Sequence, residues 1–230
     1  MRGKIVVFSG AGMSAESGIN TFRDSNGLWE KHDIKEVATP EAWQADPDLV
    51  TEFYNQRRKQ IINAKPNQAH LEIARLQDTH DVSVITQNID DLHERAGSID
   101  VLHLHGNIRY SKSSGPNPQK AYYRIEGSDL TENDLCPEGF RLRPHVVWFG
   151  ESVPMLEKAI EITNSATHFV VIGSSLEVYP AASLIQYCSI QCKKWIIDPN
   201  AEKMNIQNGF QSINLPAGEG IKVLLKELSF

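Results

Sequence analysis

Cysteine is scarce in this chain. Cys136, Cys188 and Cys192 are the three present in 230 residues, too few for a disulfide framework. Cys188 and Cys192 stand four apart in a stretch that reads as helix, where they share a face as two small core residues. Long apolar runs are missing too: none approaches the roughly 20 residues that span a bilayer. The chain enters an apolar strand almost directly after Met1-Arg2-Gly3, which leaves no stretch that reads as a signal or transit peptide and points to a cytoplasmic location. A basic excess is absent, since the formal net charge is -6, and this argues against nucleic acid as a main partner. Internal repeats and low-complexity tracts are lacking. What remains is 40% hydrophobic and 23% charged, an ordinary composition for one globular domain, or one with a small inserted module.

Strand-like runs recur at Lys4–Ser9, Val82–Thr86, Val101–His105, His145–Phe149, His168–Ile172, Trp195–Ile197 and Ser212–Leu215. Helical patterns lie between them at Pro47–Asn63, Asn67–Gln77, Asp90–Ala96, Pro154–Asn164, Pro180–Gln191 and Gly218–Leu228. Strands alternating with helices predict an α/β fold with a mostly parallel sheet. Gly97 suits a helix C-terminus and Pro180 a first helical turn. Two stretches break the alternation: Trp29–Leu76, helical and strand-free, and Asn107–Arg143, which is polar.

The stretch Gly10-Ala-Gly-Met-Ser-Ala-Glu-Ser-Gly18 follows the apolar run Ile5–Phe8. A strand that breaks at Gly-Ala-Gly is a phosphate-binding turn, because glycine lets backbone N–H groups approach a pyrophosphate, and a short helix from about Met13–Ser14 would aim its positive end there. Gly18, Asn20, Asp24, Asn26 and Gly27 then break helical periodicity, so a long loop carries Phe22, Arg23 and Trp29 and can fold over a cofactor.

The whole stretch from Gly10 to Trp29 closely resembles the signature of the sirtuins, NAD-dependent protein lysine deacylases. Five later segments agree in order: Thr86–His93, Leu102–Gly106, Leu142–Glu151, Gly173–Ser175 and Ile197–Asn200. The resemblance implies one catalytic domain over 1–230. A Rossmann-like large part comprises about 1–28, 78–106 and 144–230, and a smaller part forms from a helical insertion, 29–77, and a degenerate zinc-ribbon-like insertion, 107–143. It also implies an NAD site made by Gly10, Ala11, Gly12, Ser14, Glu16, Thr21, Phe22, Arg23, Trp29, Gln87, Asn88, Ile89, Asp90, His105, Gly173, Ser174, Ser175, Asp198, Asn200 and, more weakly, Ala217. NAD would be consumed as a co-substrate. The acyl-lysine oxygen displaces nicotinamide, His105 activates a ribose hydroxyl, and free lysine and O-acyl-ADP-ribose leave.

Several of these residues have a blander reading. Asn88 or Asp90 could cap the helix that runs through Arg95, but capping explains one of them and not the run Gln87-Asn-Ile-Asp90 at the end of a parallel strand. By resemblance Asn88 and Asp90 line the nicotinamide pocket, with Asn88 counted beside His105 as catalytic, and Gln87 contacts ribose. His103 and His105 share a face at i, i+2, so periodicity cannot choose between them as a base. The sirtuin His-Gly motif selects His105, and His103 is assigned no role. Val147, Trp148, Phe149 and Gly150 could be core, but by resemblance form a backbone rim that pairs with the substrate peptide.

Tyr54 and Arg57 share a face three residues apart. By themselves they suit an amphipathic surface helix, with Arg57, Arg58 and Lys59 solvated. Within the sirtuin frame, Tyr-x-x-Arg matches the class III members, which resemble desuccinylases and demalonylases. A guanidinium binds a carboxylate bidentately and a tyrosine hydroxyl adds a hydrogen bond. The substrates implied are proteins or peptides carrying acylated lysine.

Most sirtuins hold structural zinc through two cysteine pairs. Here Ser113 stands about where the first cysteine belongs, Pro116 about where its partner would, and of the second pair only Cys136 remains. Zinc needs four ligands, so none is expected, and Tyr110, Tyr122, Tyr123 and Phe140 are candidates to pack the insertion instead. Competing readings are a deacetylase, a protein ADP-ribosyltransferase, and a non-enzymatic NAD or ADP-ribose binding module that would not need His105. A hydride-transferring dehydrogenase is disfavoured, because no acidic residue ends a second strand about 20 residues after the glycines.

Overall fold

The computed structural model describes residues 3–19, 33–204 and 209–228. Nine strands are present among them: β1 (Lys4–Ser9), β2 (Asp81–Thr86), β3 (Val101–His103), β4 (Gly106–Ser113), β5 (Tyr122–Arg124), β6 (Leu142–Val146), β7 (His168–Ile172), β8 (Lys193–Ile197) and β9 (Phe210–Ile213). Seven α-helices accompany them: α1 (Ile34–Val37), α2 (Pro40–Ala45), α3 (Pro47–Asn63), α4 (Gln68–Leu76), α5 (Leu92–Ala96), α6 (Leu156–Asn164) and α7 (Ala217–Leu228). Six strands form a parallel sheet in the order β3-β2-β1-β7-β8-β9, and three form an antiparallel sheet, β5-β4-β6.

Strand alternation explains the two sides of the parallel sheet. Ile5 and Val7 of β1 face one core with Val84, Val170 and Ile172, closed by Ala69 and Ile73 of α4 and Ile221 and Leu224 of α7. Val6 and Phe8 face the other with Ile85, Phe169 and Ile196, closed by Ala159 of α6 and by Ala181 and Leu184 of the 3-10 turn Ala181–Tyr187. Burying each such side chain contributes about 1.5–3 kcal/mol. The chain winds outward from β1 through β2 and β3 to one edge, and from β7 through β8 and β9 to the other. The strand order therefore reverses between β1 and β7, and ligands of open α/β sheets bind at the strand carboxyl ends at such a point.

α3 forms as the sequence predicts. Pro47 opens it, and the Asp46 carboxylate accepts from the amides of Asp48 at 3.1 Å and Leu49 at 2.8 Å. Gly97 closes α5 in the left-handed conformation, φ 106°. Four expected elements differ. The helix after the glycines is a 3-10 segment starting earlier, at Ala11–Ser17. β3 stops at His103, so His105 sits on the crossing between the two sheets. The strand expected at His145–Phe149 is β6, three residues earlier and antiparallel to β4, because the chain turns away after Val146. The helix expected at Pro180–Gln191 is only the 3-10 turn Ala181–Tyr187. Cys188 and Cys192 therefore do not share a helix face; Cys188 is extended and half-buried, and Cys192 is buried behind the turn that its amide closes onto Ser189 O, 3.1 Å.

Arg57 and Arg58 are not solvated. Arg57 is 7% exposed and Arg58 0%. Arg58 donates from Nε to Ile108 O (2.7 Å) and from Nη1 to Ser128 O (2.8 Å) and Asn55 Oδ1 (2.7 Å), tying α3 to the insertion. Burial pulls its pKa down to about 10, against the opposing charge of Asp129. Lys59 alone of the three points out, 2.9 Å from Asp129. No described helix is long and apolar enough to cross a membrane.

Candidate active site

Four loops meet at the carboxyl ends of the parallel strands. The loops after β1 and β7 interlock backbone to backbone. Gly12 N–H donates to Gly173 O at 2.8 Å, and Gly10 N–H to Ile172 O at 3.1 Å. A Cβ on Gly12 would lie 2.8 Å from the Gly173 Cα, and Gly173 has φ 60° with its own Cβ position filled by the Met13 amide. The glycines therefore permit close approach of two loops, with the amides of Gly10 and Gly12 donating within the fold.

The loop after β2 carries the polar run. Ser14, buried, donates to Asp90 Oδ2 at 2.9 Å, while Asn88 Nδ2 lies 3.2 Å from Ser14 Oγ and donates to Gly10 O at 3.0 Å. Asp90 Oδ1 also accepts from the Leu92 amide, 3.2 Å, so it does assist the start of α5. Burial raises the Asp90 pKa, opposed by Ser14 and the Leu92 amide. Gln87 Nε2 donates to Ser174 Oγ at 2.8 Å, linking the β2 and β7 loops, and Ile89 O accepts from the Ile108 amide at 2.8 Å. His105 reaches in from the crossing with Nδ1 2.9 Å from Gln87 O. Burial depresses its pKa, with the Gln87 carbonyl partly countering.

Further out, the Asp198 carboxylate accepts from the Asn200 amide at 2.8 Å just past β8. Ser175 is half-buried beside buried Ser174. Glu16 crosses to α7, where its carboxylate accepts from the Gly218 amide at 2.7 Å beside Ala217. Thr21, Phe22, Arg23 and Trp29 lie outside the described residues.

Behind the β2 loop, Tyr54 is 2% exposed and packs in a cluster with Phe53, Val146 and Trp148. Burial pushes its hydroxyl up to about 12, with Arg57 opposing. Burial lowers the Arg57 pKa, countered by Tyr54 and then Asp90, which places the guanidinium within electrostatic reach of both. Arg143 stacks on Trp148, 3.8 Å from the ring centroid, and pairs with Glu151. At the rim the Val147 amide donates to His105 O (2.9 Å), Trp148 to Glu151 Oε2 (2.9 Å) and Phe149 to Ala38 O (3.0 Å).

Two supporting sets escaped the sequence reading. Ser9 Oγ donates to Thr86 Oγ1 at 2.9 Å and lies 3.0 Å from His93 Nε2 beneath the site, and His103 bonds Glu94. Hydroxyls at the ends of two paired strands were a visible signal for the first.

The Sir2 family model matches residues 10–180. An NAD-dependent protein deacylase of Helicobacter pylori (strain ATCC 700392 / 26695) is 47% identical over 97% of this chain and 96% of its own length. One of Bacteroides thetaiotaomicron is 45% identical over 96% and 95%. Among solved structures, a mutant Sir2 homologue with ADP-ribose has a TM-score of 0.86 at 36% identity, covering 99% of this chain and 94% of that one. A Sir2 homologue with NAD has 0.84 at 37%, covering 98% and 91%. A Sir2 protein with a deacetylated peptide and 3'-O-acetyl ADP-ribose has 0.78 at 31%, covering 97% and 92%. A reversed parallel sheet with a polar constellation at its switch point defines an α/β nucleotide-site protein. Within that class, this chain belongs to the Sir2 family.

Proposed function

We propose that this chain removes succinyl and malonyl groups from lysine side chains of proteins or peptides, consuming NAD and yielding nicotinamide and O-acyl-ADP-ribose. That it is an NAD-dependent protein deacylase rests on its membership of the Sir2 family. The acyl preference rests on one observation: Tyr54 and Arg57 are both buried on α3, with Asp90 of the β2 loop in electrostatic reach of the guanidinium. A buried guanidinium beside an acyl site favours a ligand that brings a carboxylate, and the Tyr54 hydroxyl, kept protonated by burial, is a donor for the same group. An acetyl group brings no carboxylate for either to bind.

NAD, when bound, supplies the electrophilic ribose carbon. The Gly10–Ser14 and Gly173–Ser175 loops are assigned to its phosphates and ribose, Asn88 and Asp90 to nicotinamide, and Asp198 and Asn200 to the adenosine ribose. His105 commits its Nδ1 hydrogen to Gln87 O, which leaves the Nε2 lone pair to take a hydroxyl proton. Its lowered pKa keeps it neutral for that task near pH 7. Because the amides of Val147, Trp148 and Phe149 are used internally, and the Trp148 carbonyl accepts from the Glu151 amide at 3.1 Å, peptide pairing at this rim falls on the carbonyls of Val147 and Phe149.

The test is NAD-dependent deacylation of one peptide carrying acetyl-, succinyl- or malonyl-lysine, by the native chain and by Arg57→Met. Desuccinylation should fall by at least about a hundredfold in the variant with acetyl turnover kept, as expected when a charged group of the substrate loses its partner. Equal loss on all three, or a native preference for acetyl, would overturn the acyl assignment. Transfer of ADP-ribose to protein with no acyl release would favour the transferase reading.

A further inference from the structure

His103 and His105 use one ring nitrogen alike and the other differently. His105 Nδ1 lies 2.9 Å from Gln87 O, and His103 Nδ1 lies 3.1 Å from Asn88 O, the next carbonyl along. A carbonyl oxygen only accepts, so each Nδ1 carries a hydrogen. At Nε2 the two part. His103 Nε2 is 2.7 Å from Glu94 Oε1 on α5, and a carboxylate also only accepts. Both nitrogens of His103 are then protonated and both protons are engaged. Asn107 Nδ2 stands 3.2 Å from the same Nε2, but an amide nitrogen only donates and cannot take that proton, so Glu94 is its acceptor. Burial alone would lower the His103 pKa, but Glu94, the Asn88 carbonyl and Asp90 outweigh it and raise it. Burial likewise works against the Glu94 carboxylate, and His103 outweighs that too.

The carbonyl that His103 grips belongs to a residue also held by its backbone amide and its side-chain nitrogen. Thr86 Oγ1 accepts from the Asn88 amide at 3.1 Å, and the Asn88 side chain reaches Gly10 O and Ser14 Oγ. The peptide from Gln87 to Asp91 has no helix or strand of its own to fix it. We infer that His103, clamped by Glu94, is a positioning residue that fixes the Asn88 carbonyl and so aims the Asn88 and Asp90 side chains at the nicotinamide side of the pocket. This deepens the reading above and rests on its assignment of Asn88 and Asp90. One histidine has a carboxylate behind it that favours its protonated form, and both its ring nitrogens are engaged; its neighbour, lacking one, is free to act as base.

The experiment compares native enzyme with His103→Phe, His103→Gln, Glu94→Gln and Asn88→Ala. It reads the KM for NAD, the KM for acyl-peptide, the nicotinamide inhibition constant and Tm. His103→Phe should raise the NAD KM and the nicotinamide inhibition constant about tenfold, as small misplacements of binding groups do, with peptide KM within about twofold. His103→Gln, which keeps donors, should recover part of the loss. Glu94→Gln, which frees one proton but leaves the Asn88 bond, should lose less than His103→Phe. Equal changes in both KM values, or a lowered Tm with unchanged constants in both His103→Phe and Glu94→Gln, would overturn the clamp. If Asn88→Ala weakens nicotinamide inhibition and His103→Phe does not, the clamp alone falls. If Asn88→Ala leaves inhibition untouched, the pocket assignment falls and the clamp with it.

Discussion

Asn55 and Leu130, 75 residues apart, exchange two hydrogen bonds: Asn55 Nδ2 donates to Leu130 O at 2.9 Å, and Asn55 Oδ1 accepts the Leu130 amide at 3.0 Å. The same oxygen takes Arg58 Nη1. This pairing is where the helix bearing Tyr54 and Arg57 meets the insertion. Asn55→Ala would bury two unpartnered backbone groups, so a loss of about 2 kcal/mol and a fall of roughly 4–8 °C in Tm are expected. Urea unfolding that shows a change below about 0.5 kcal/mol would refute it.

Much of the main sheet was legible because its strands are short apolar runs between turn residues. β1 was read to the residue, and the glycines and the Gln87–Asp90 run fell at strand ends as the pattern implies. β4 was not legible. Its buried positions include Asn107, Ser111 and Lys112, so apolar alternation never appears; Asn107 is held by His103 and the Arg109 amide, Ser111 by the Tyr123 carbonyl of β5, and Lys112 by Glu151. Arg57 and Arg58 looked solvated for the same reason. Nothing local shows that carbonyls 50 and 70 residues away will receive Arg58. His103 and His105 could not be ranked by period, because the group that distinguishes them, Glu94, lies on another element.

Gly173→Ala should be the most damaging single-atom change near the site. The residue sits at φ 60°, and its Cβ would strike the Met13 amide and Gly12 backbone rather than a side chain that could move. The β1 and β7 loops would separate, with loss of NAD affinity by at least about tenfold and a loss of roughly 2–4 kcal/mol in stability. Calorimetric NAD titration with native-like affinity in this variant would contradict the interlock.

Zinc is expected to be dispensable. Ser113 Oγ lies 3.4 Å from Cys136 Sγ, and around them are Ile125, Leu130 and Leu142 with Tyr123. One thiol beside a hydroxyl in an apolar pocket does not fit the four-donor set of a structural zinc. Among the described residues no group of three or more His, Cys, Asp or Glu side chains could hold a metal. Elemental analysis should find well under one zinc per chain, and a chelator should leave Tm unchanged. Cys136→Ala should then cost only about 1 kcal/mol of packing. One tightly held zinc per chain would refute this.

Acid should destabilise the chain before its carboxylates titrate. His70 and His93 are buried with ring centroids 4.8 Å apart, His70 beside the Asn67 cap of α4 and His93 against Ser9. Burial pulls His70 down to about 4, with Arg95 adding and Glu94 opposing; His93 is pulled well below its usual 6.5, with His70 and His103 adding. A lowered folded-state pKa means the unfolded chain binds more protons between those values. The contribution of these two histidines is therefore constant above about pH 6.5 and falls below it, by about 1.4 kcal/mol per pH unit for each, until the folded form protonates. His105, His145 and His168 shift the same way, whereas His103, raised by Glu94, runs the other way. Urea midpoints at pH 7.5, 6.0 and 5.0 should fall with pH in the native chain. In His70→Gln the slope between pH 6.0 and 5.0 should shrink by about one proton; an unchanged slope would mean that His70 does not enter the fold neutral.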